Sequence, residues 1–257
     1  MESTVTDASA RTYRATVQYD GTAYYGFQRQ RHGVPSIQAE LEQALSRLAH
    51  RPIRVLGAGR TDTGVHALGQ VIAFTIEWPE RHGTAALQRA LNANLPSDIA
   101  VADVMEVAPG FHPRFDARRR GYEYRILTAT VRRPLWRRRA WHVVGSLDLT
   151  QMNVAAALLV GVNDFATFGR PTTGESTIRE VYGATWRRED EFLIFDIRAN
   201  AFLNRMVRSI VGSLKMVGSG QWSPDEFWAA FAARERNRSA MAAPAQGLYL
   251  VSVEYDN

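Results

Sequence analysis

Cysteine is absent from this chain of 257 residues. That excludes a disulfide framework, Cys-ligated zinc, an iron–sulfur cluster and a thiol nucleophile. Lysine is nearly absent: Lys215 stands alone, and every other basic residue is arginine. Long hydrophobic runs are also missing. No stretch approaches the roughly 18 apolar residues that span a membrane, and the apolar run Val154–Val162 stops at Asn163-Asp164. The opening residues Met1–Ala10 lack the basic start and apolar run of a signal peptide. The expected compartment is therefore the cytoplasm, with no membrane partner. No His, Asp and Glu group has the spacing of metal ligands. What is present is ordinary globular composition, 46% hydrophobic and 22% charged, with a formal charge of +5 and a pI near 9.8. A basic excess of this kind has two readings: a polyanionic partner such as nucleic acid, or arginine-favouring codon usage.

The hydrophobic pattern organises the chain into two halves of one kind. Residues 1–10 read as a disordered tail. In residues 11–110 the order is strand (Tyr13–Tyr19), helix after an N-cap at Ser36, strands Ile53–Leu56 and Gln70–Glu77, helix Thr84–Asn94 and strand Ile99–Val107. In residues 111–257 it recurs: strand Tyr122–Leu127, helix Leu149–Val160, strands Ile178–Trp186 and Phe192–Ile197, helix Leu203–Val217 and strand Leu248–Tyr255. An additional helix, Pro224–Arg234, starts with Ser223 as N-cap, Pro224 in the first turn and Glu226 completing a capping box. The expected fold is α+β: two ferredoxin-like, split β-α-β halves. No long linker separates them. That predicts one continuous, mostly antiparallel sheet with helices on one face and an active-site cleft at the centre.

The most informative segment is the loop Gly57-Ala58-Gly59-Arg60-Thr61-Asp62-Thr63-Gly64-Val65-His66. A phosphate-cradling loop would open a helix and carry Lys-Ser/Thr; here a strand follows. Asp62-Thr63-Gly64 matches the aspartic-protease tripeptide, but that chemistry needs two carboxylates sharing a proton. The chain holds one such tripeptide, with Arg60 close by, so a second copy would have to come from a dimer. A carboxylate tied to a turn would account for Asp62 alone, not for its neighbours. The remaining reading is a lone nucleophilic carboxylate kept ionised by a nearby cation.

The run GAGRTDTGVHALGQV resembles the signature loop of the TruA family of tRNA pseudouridine synthases. Further blocks follow in the family's order. Tyr19-Asp20-Gly21-Thr22-Ala23-Tyr24-Tyr25-Gly26-Phe27-Gln28 resembles the opening block. Asn92-Ala93-Asn94-Leu95-Pro96, Phe111-His112-Pro113-Arg114-Phe115 and Gly121-Tyr122-Glu123-Tyr124 follow. Ala199-Asn200-Ala201-Phe202-Leu203 precedes Met206-Val207-Arg208 and Ile210-Val211-Gly212, and Gly247-Leu248-Tyr249-Leu250 closes the match. The resemblance runs from about residue 12 to 256. Two departures are visible: the family more often has alanine at Thr63 and tryptophan at Phe27.

The resemblance implies an isomerase that converts uridine to pseudouridine at positions 38, 39 and 40 of the tRNA anticodon stem-loop, without metal or cofactor. It assigns the nucleophile to Asp62, a tyrosine that stacks on the base to Tyr122, an ion-pairing arginine to Arg208, and an apolar wall of the uracil pocket to Leu248. Flipping a base out of a stack costs a few kcal/mol, and the resemblance gives Arg60 the place of the side chain inserted in its stead. Arg118, Arg119 and Arg120, and Arg137 and Arg138 with Arg132, Arg133 and Arg139, are expected to meet RNA phosphates, with Trp136, Trp141 and His142 interleaved for stacking. On the helix from 203 to 217, Arg205 and Lys215 are read as solvated and Arg208 as the partner of Asp62. The family acts as a homodimer on tRNA. The alternative is a non-catalytic tRNA-binding protein or RNA chaperone on the same fold.

Overall fold

A computed structural model describes residues 10–30, 33–172 and 174–256. The tail expected over residues 1–10 lies outside the described residues except for Ala10, which begins a strand. The chain forms two compact units, one running to Ala117 and regaining the chain at Tyr255, the other Arg118–Glu254.

In the first unit the order is β1 (Ala10–Tyr19), α1 (Ile37–Ala49), β2 (Leu56–Gly57), β3 (His66–Glu77), α2 (Gly83–Asn94) and β4 (Ile99–Val107). β1 lies between β4 and β3, and β2 pairs with β3, all antiparallel. The strand order is thus fourth, first, third, second, as a split β-α-β unit requires. Strict alternation in β1 buries Tyr13, Ala15, Val17 and Tyr19 on one face, the face left for the helices. α1 starts where Ser36 accepts a hydrogen bond from the Ala39 amide and buries Ile37, Leu41, Ala44 and Leu45. α2 packs on β4 through buried Leu87 and Leu91.

The second unit comprises β5 (Arg119–Leu127), β6 (Trp141–His142), α3 (Leu149–Ala157), β7 (Gly161–Asp164), β8 (Ile178–Glu189), β9 (Phe192–Ala199), α4 (Met206–Gly218), α5 (Pro224–Ala232) and β10 (Leu248–Glu254). Its main sheet runs β10-β5-β9-β8, antiparallel throughout, which is the same fourth-first-third-second order. β7 extends it beyond β8, and the two-residue β6 adds a parallel pairing to β5. Neither short strand carries enough alternation to be read from sequence. Trp186 against Phe195 and a cluster of Phe165, Phe168, Phe227 and Phe231 fill the interior. The capping box at Ser223 forms with both of its hydrogen bonds.

α4 departs from expectation at its start. The predicted first turn, Leu203–Arg205, does not form: the Asn204 amide donates to the Arg170 carbonyl at 2.9 Å, and Arg205 takes φ +60°. One side of α4, carrying Met206, Val207, Ile210, Val211, Leu214 and Val217, is buried. The opposite side is covered as well, because Ser209, Gly212 and Ser213 are also buried. The covering chain is the segment from Arg236 to Gly247. Arg236 donates to Ser209 Oγ at 3.0 Å, the Ala240 amide donates to Ser213 Oγ at 3.2 Å, and the Met241 carbonyl sits where a Cβ on Gly212 would fall. Among the described residues, no helix is long and apolar enough to cross a membrane.

Candidate active site

The Asp62 loop leaves β2 and returns into β3, and its backbone is fixed at nearly every residue. The Ala58 amide donates to the Val71 carbonyl at 2.8 Å. At Gly59 the partner becomes a side chain: Gln70 Oε1 accepts from the Gly59 amide at 3.0 Å, and Gln70 Nε2 donates to the Gly59 carbonyl at 2.8 Å. The Thr61 carbonyl accepts from the Phe27 amide at 3.1 Å, and Thr61 Oγ1 is 2.8 Å from the buried Tyr19 hydroxyl. Asp62 then opens a tight turn, closed by the Val65 amide donating to its carbonyl at 3.1 Å, with Gly64 at φ +76°. Positive φ is the reason for glycine at that corner.

The opening block seen in the sequence packs directly behind this loop. A Cβ on Gly21 would fall 2.0 Å from the Val65 carbonyl oxygen, and one on Gly26, at φ +91°, would fall 2.7 Å from that of Thr61. Two backbone segments therefore touch where no side chain fits. His66, 2% exposed, accepts from the Gly21 amide through Nδ1 at 3.1 Å, with Asp20 Oδ1 3.2 Å away. It is a bracing residue of the loop. The Phe27 ring fills the space that the missing side chain of Gly57 leaves.

Held this way, the loop half-buries Asp62 and leaves Arg60 and Thr63 exposed. Arg60 makes no hydrogen bond or ion pair among the described residues, so its guanidinium is free to move toward a ligand.

In the second unit, Tyr122 lies on β5, half-buried, opposite Ile197 on one side and Leu250 on the other. Its ring meets Phe202 edge to face, with centroids 4.9 Å apart. Leu248, 7% exposed, pairs with Tyr124 in the same ladder. The register places Tyr122 and Leu248 on one face of the sheet as diagonal neighbours. Arg208, in the first turn of α4, donates from Nε to the Ala243 carbonyl at 2.8 Å, while the Ala243 amide donates to the Arg208 carbonyl at 2.9 Å. The same strap is held by the Tyr124 hydroxyl, which donates to the Pro244 carbonyl at 2.7 Å. Burial pushes the Tyr124 phenol well above its ordinary pKa, opposed weakly by the charge of Arg208, so this hydroxyl stays protonated and remains a donor.

The arginines divide by surroundings. Arg118 and Arg119 are exposed, the latter over the Tyr182 ring at 4.7 Å. Arg120 is 9% exposed and donates to the Asn200 carbonyl at 2.9 Å, bracing the segment before Phe202. Arg137 and Arg138 are exposed, whereas Arg133 forms a two-pronged pair with Glu191 at 2.6 and 2.9 Å. The aromatic residues expected to alternate with them as stacking platforms are half-buried. Trp136 packs edge to face on Phe192 beside Leu127, Ala129 and Ala140. Trp141 sits in β6 with its ring edge-on to Tyr124, and His142 Nε2 is 2.7 Å from the Ala129 carbonyl. Trp136 and Phe192 close a small apolar core. The sequence does not single out Gln70, Tyr19, Ser209, Ser213 and Arg236 as supports. Gln70 and Ser213 bond to backbone, Tyr19 bonds to Thr61 Oγ1, and Arg236 bonds to Ser209 Oγ and the Thr167 carbonyl. Gln70, Ser209 and Ser213 are polar residues inside a buried pattern. Among the described residues, no group of three or more His, Asp or Glu side chains is placed to hold a metal ion.

The family model for tRNA pseudouridine synthase matches residues 15–116 and 155–256, and these two stretches contain Asp62, Arg208 and Leu248. The chain belongs to this family. Among curated relatives, tRNA pseudouridine synthase A of Neisseria meningitidis serogroup B (strain ATCC BAA-335 / MC58) is 42% identical over 251 residues, covering 96% of this chain and 93% of the relative. Proteins of the same name from Thermoanaerobacter sp. (strain X514) and Sinorhizobium fredii (strain NBRC 101917 / NGR234) are 38% and 41% identical, covering 95% of this chain and 100% and 99% of the relatives.

Proposed function

We propose that this chain is an isomerase that converts uridine to pseudouridine in the anticodon stem-loop of tRNA, at positions 38, 39 and 40, with Asp62 as the nucleophile. The observation that carries the reading is the Asp62 loop. A single half-buried carboxylate stands on a turn whose backbone is fixed on both sides, inside the stretch matched by the family model. An ionised carboxylate can attack carbon directly, and a fixed position lowers the cost of bringing it to the reacting atom. No step requires oxidation or hydrolysis: the bond from sugar to base nitrogen breaks, the base turns, a bond from sugar to base carbon forms, that carbon loses its hydrogen as a proton, and the freed nitrogen takes up a proton.

In this reading Arg208 supplies the positive charge that keeps the nucleophile ionised, and its bonds to Ala243 fix its direction. Tyr122 stacks on the displaced base and Leu248 lines the apolar side of its pocket. Arg60, exposed and without an internal partner, occupies the gap left in the RNA stack. Arg118, Arg119, Arg137 and Arg138 meet phosphates. Arg120, already bonded to Asn200, contributes by holding the segment beside Tyr122. The protein acts as a homodimer in the cytoplasm.

The test is chemical mapping of pseudouridine in anticodon stem-loop transcripts treated with the wild-type protein and with Asp62→Asn. The wild type is expected to produce it at the three positions. The variant is expected to bind the RNA with unchanged affinity and to form none. A folded wild type without product refutes the isomerase assignment; an active Asp62→Asn refutes the role of Asp62.

A further inference from the structure

We propose that Gln70 is a positioning residue for the candidate nucleophile, acting through a two-bond clamp on the backbone of Gly59; the proposal rests on the isomerase reading above. β2 pairs with β3 through Leu56 opposite Ala73 and Gly57 opposite Ile72, and the Ala58 amide still reaches the Val71 carbonyl at 2.8 Å. At the next position the backbone ladder ends and the Gln70 side chain replaces it. Its amide carries one donor and one acceptor on adjacent atoms, as a strand does, and it meets both the amide and the carbonyl of Gly59, at 3.0 and 2.8 Å. The β2–β3 pairing stops short of this point, and the loop begins here. Arg60, Thr61 and Asp62 follow immediately. Gln70 is 0% exposed, within the buried run of β3, and Gly59 is half-buried. Turned over, the amide would set oxygen against oxygen and N–H against N–H, so one orientation alone is compatible with the loop.

This geometry makes a demand that a space-filling role does not. Glutamate has the shape of glutamine but meets the demand only when protonated, when its O–H donates to the Gly59 carbonyl and its C=O accepts from the Gly59 amide. Ionised, one of its oxygens faces the Gly59 carbonyl oxygen with no proton between them. Burial and that oxygen both favour the neutral carboxyl and raise its pKa from the ordinary carboxylate value.

The experiment measures single-turnover formation of pseudouridine from an anticodon stem-loop transcript, with enzyme in excess, for wild type, Gln70→Glu and Gln70→Leu between pH 5 and pH 9. The ratio of Gln70→Glu to wild-type rate is expected to fall at least tenfold across that range. Gln70→Leu, which can form neither bond, is expected to be at least tenfold slow at every pH. RNA affinity is expected to stay within threefold of wild type in both. A rate ratio for Gln70→Glu that does not change with pH, or a folded Gln70→Leu with the wild-type rate, overturns the proposal. If Gln70→Leu fails to fold, Gln70→Glu decides by itself, since its low-pH form keeps the native bonds. A wild type without activity refutes the isomerase reading, whereas an active wild type with indifferent Gln70 variants refutes this proposal alone.

Discussion

Replacing Gly212 by alanine separates two physical effects of opposite sign. In the middle of α4, helix propensity favours alanine over glycine by about 0.8–1.0 kcal/mol. For a solvated position, that gain would raise the melting temperature by roughly 2–4 °C in a protein of this size. Here the new Cβ would lie 2.0 Å from the Met241 carbonyl oxygen, far inside contact distance, and the obstacle is backbone. The strap must move away by about 1.5 Å to restore ordinary van der Waals separation. Three hydrogen bonds hold it on either side: Ala240 amide to Ser213 Oγ, Arg208 Nε to the Ala243 carbonyl, and Ala243 amide to the Arg208 carbonyl. Two neutral bonds at about 1 kcal/mol and one charged bond at about 2 kcal/mol sum to about 4 kcal/mol. Offset by the propensity gain, the net destabilisation is about 3 kcal/mol, or roughly 6–12 °C. Tryptophan fluorescence is a suitable probe, because Trp136, Trp141, Trp186, Trp222 and Trp228 all lie in the second unit and only Trp78 in the first. Thermal unfolding of Gly212→Ala that shows an unchanged or raised midpoint would refute the account of the strap.

Two other predictions concern charge. RNA affinity should fall with log salt by about 0.7–0.9 per neutralised phosphate. Arg137→Ala should lower that slope by about the same amount without changing the single-turnover rate; an unaltered slope in a binding titration means that Arg137 does not meet the RNA. The two-pronged hydrogen bonds from Arg133 hold the Glu191 carboxyl below its ordinary pKa. Stability from that pair is present above the unfolded pKa and is lost as pH falls through the folded value. Arg133→Gln should return Glu191 upward to the ordinary carboxylate value in an NMR titration, and an unmoved titration would show that the pair does not persist in solution.

The parts of the fold that follow from local chemistry were legible in the sequence. Alternation in β1, the N-cap at Ser36 and the capping box at Ser223 are set by neighbours within a few residues. The start of α4 was not legible, because its first turn is displaced by a backbone pairing with Arg170, thirty-odd residues upstream in the chain. Local propensity carries no trace of such a partner. The packing of Trp136 is not legible for a related reason: an aromatic residue among arginines has the same composition whether or not its ring packs on Phe192. At the candidate site, the motif singles out Asp62, but not the side chains that hold its loop. Gln70 and Tyr19 look like ordinary strand residues until their partners at Gly59 and Thr61 are known.

The supports also order the consequences of the two positions where this chain departs from its family's usual residues. Thr63 is exposed on the turn beside Asp62, and among the described residues its side chain makes no hydrogen bond. Phe27 is 2% exposed, its amide holds the Thr61 carbonyl, and its ring lies on Gly57 and beside Tyr19, with centroids 6.4 Å apart. A Cβ on Gly57 would fall 2.3 Å from that ring, so the phenyl already fills the available space. An indole there adds volume against backbone that cannot retreat without moving the Asp62 loop. Phe27→Trp should therefore cost about 1–3 kcal/mol through overpacking, although the residue is the family's more usual one. Thr63→Ala should leave stability within about 0.5 kcal/mol. Equilibrium denaturation of both variants gives the comparison. A Phe27→Trp protein as stable as the wild type would mean that the space behind the loop accommodates the larger ring, and that the loop is less tightly backed than its contacts require.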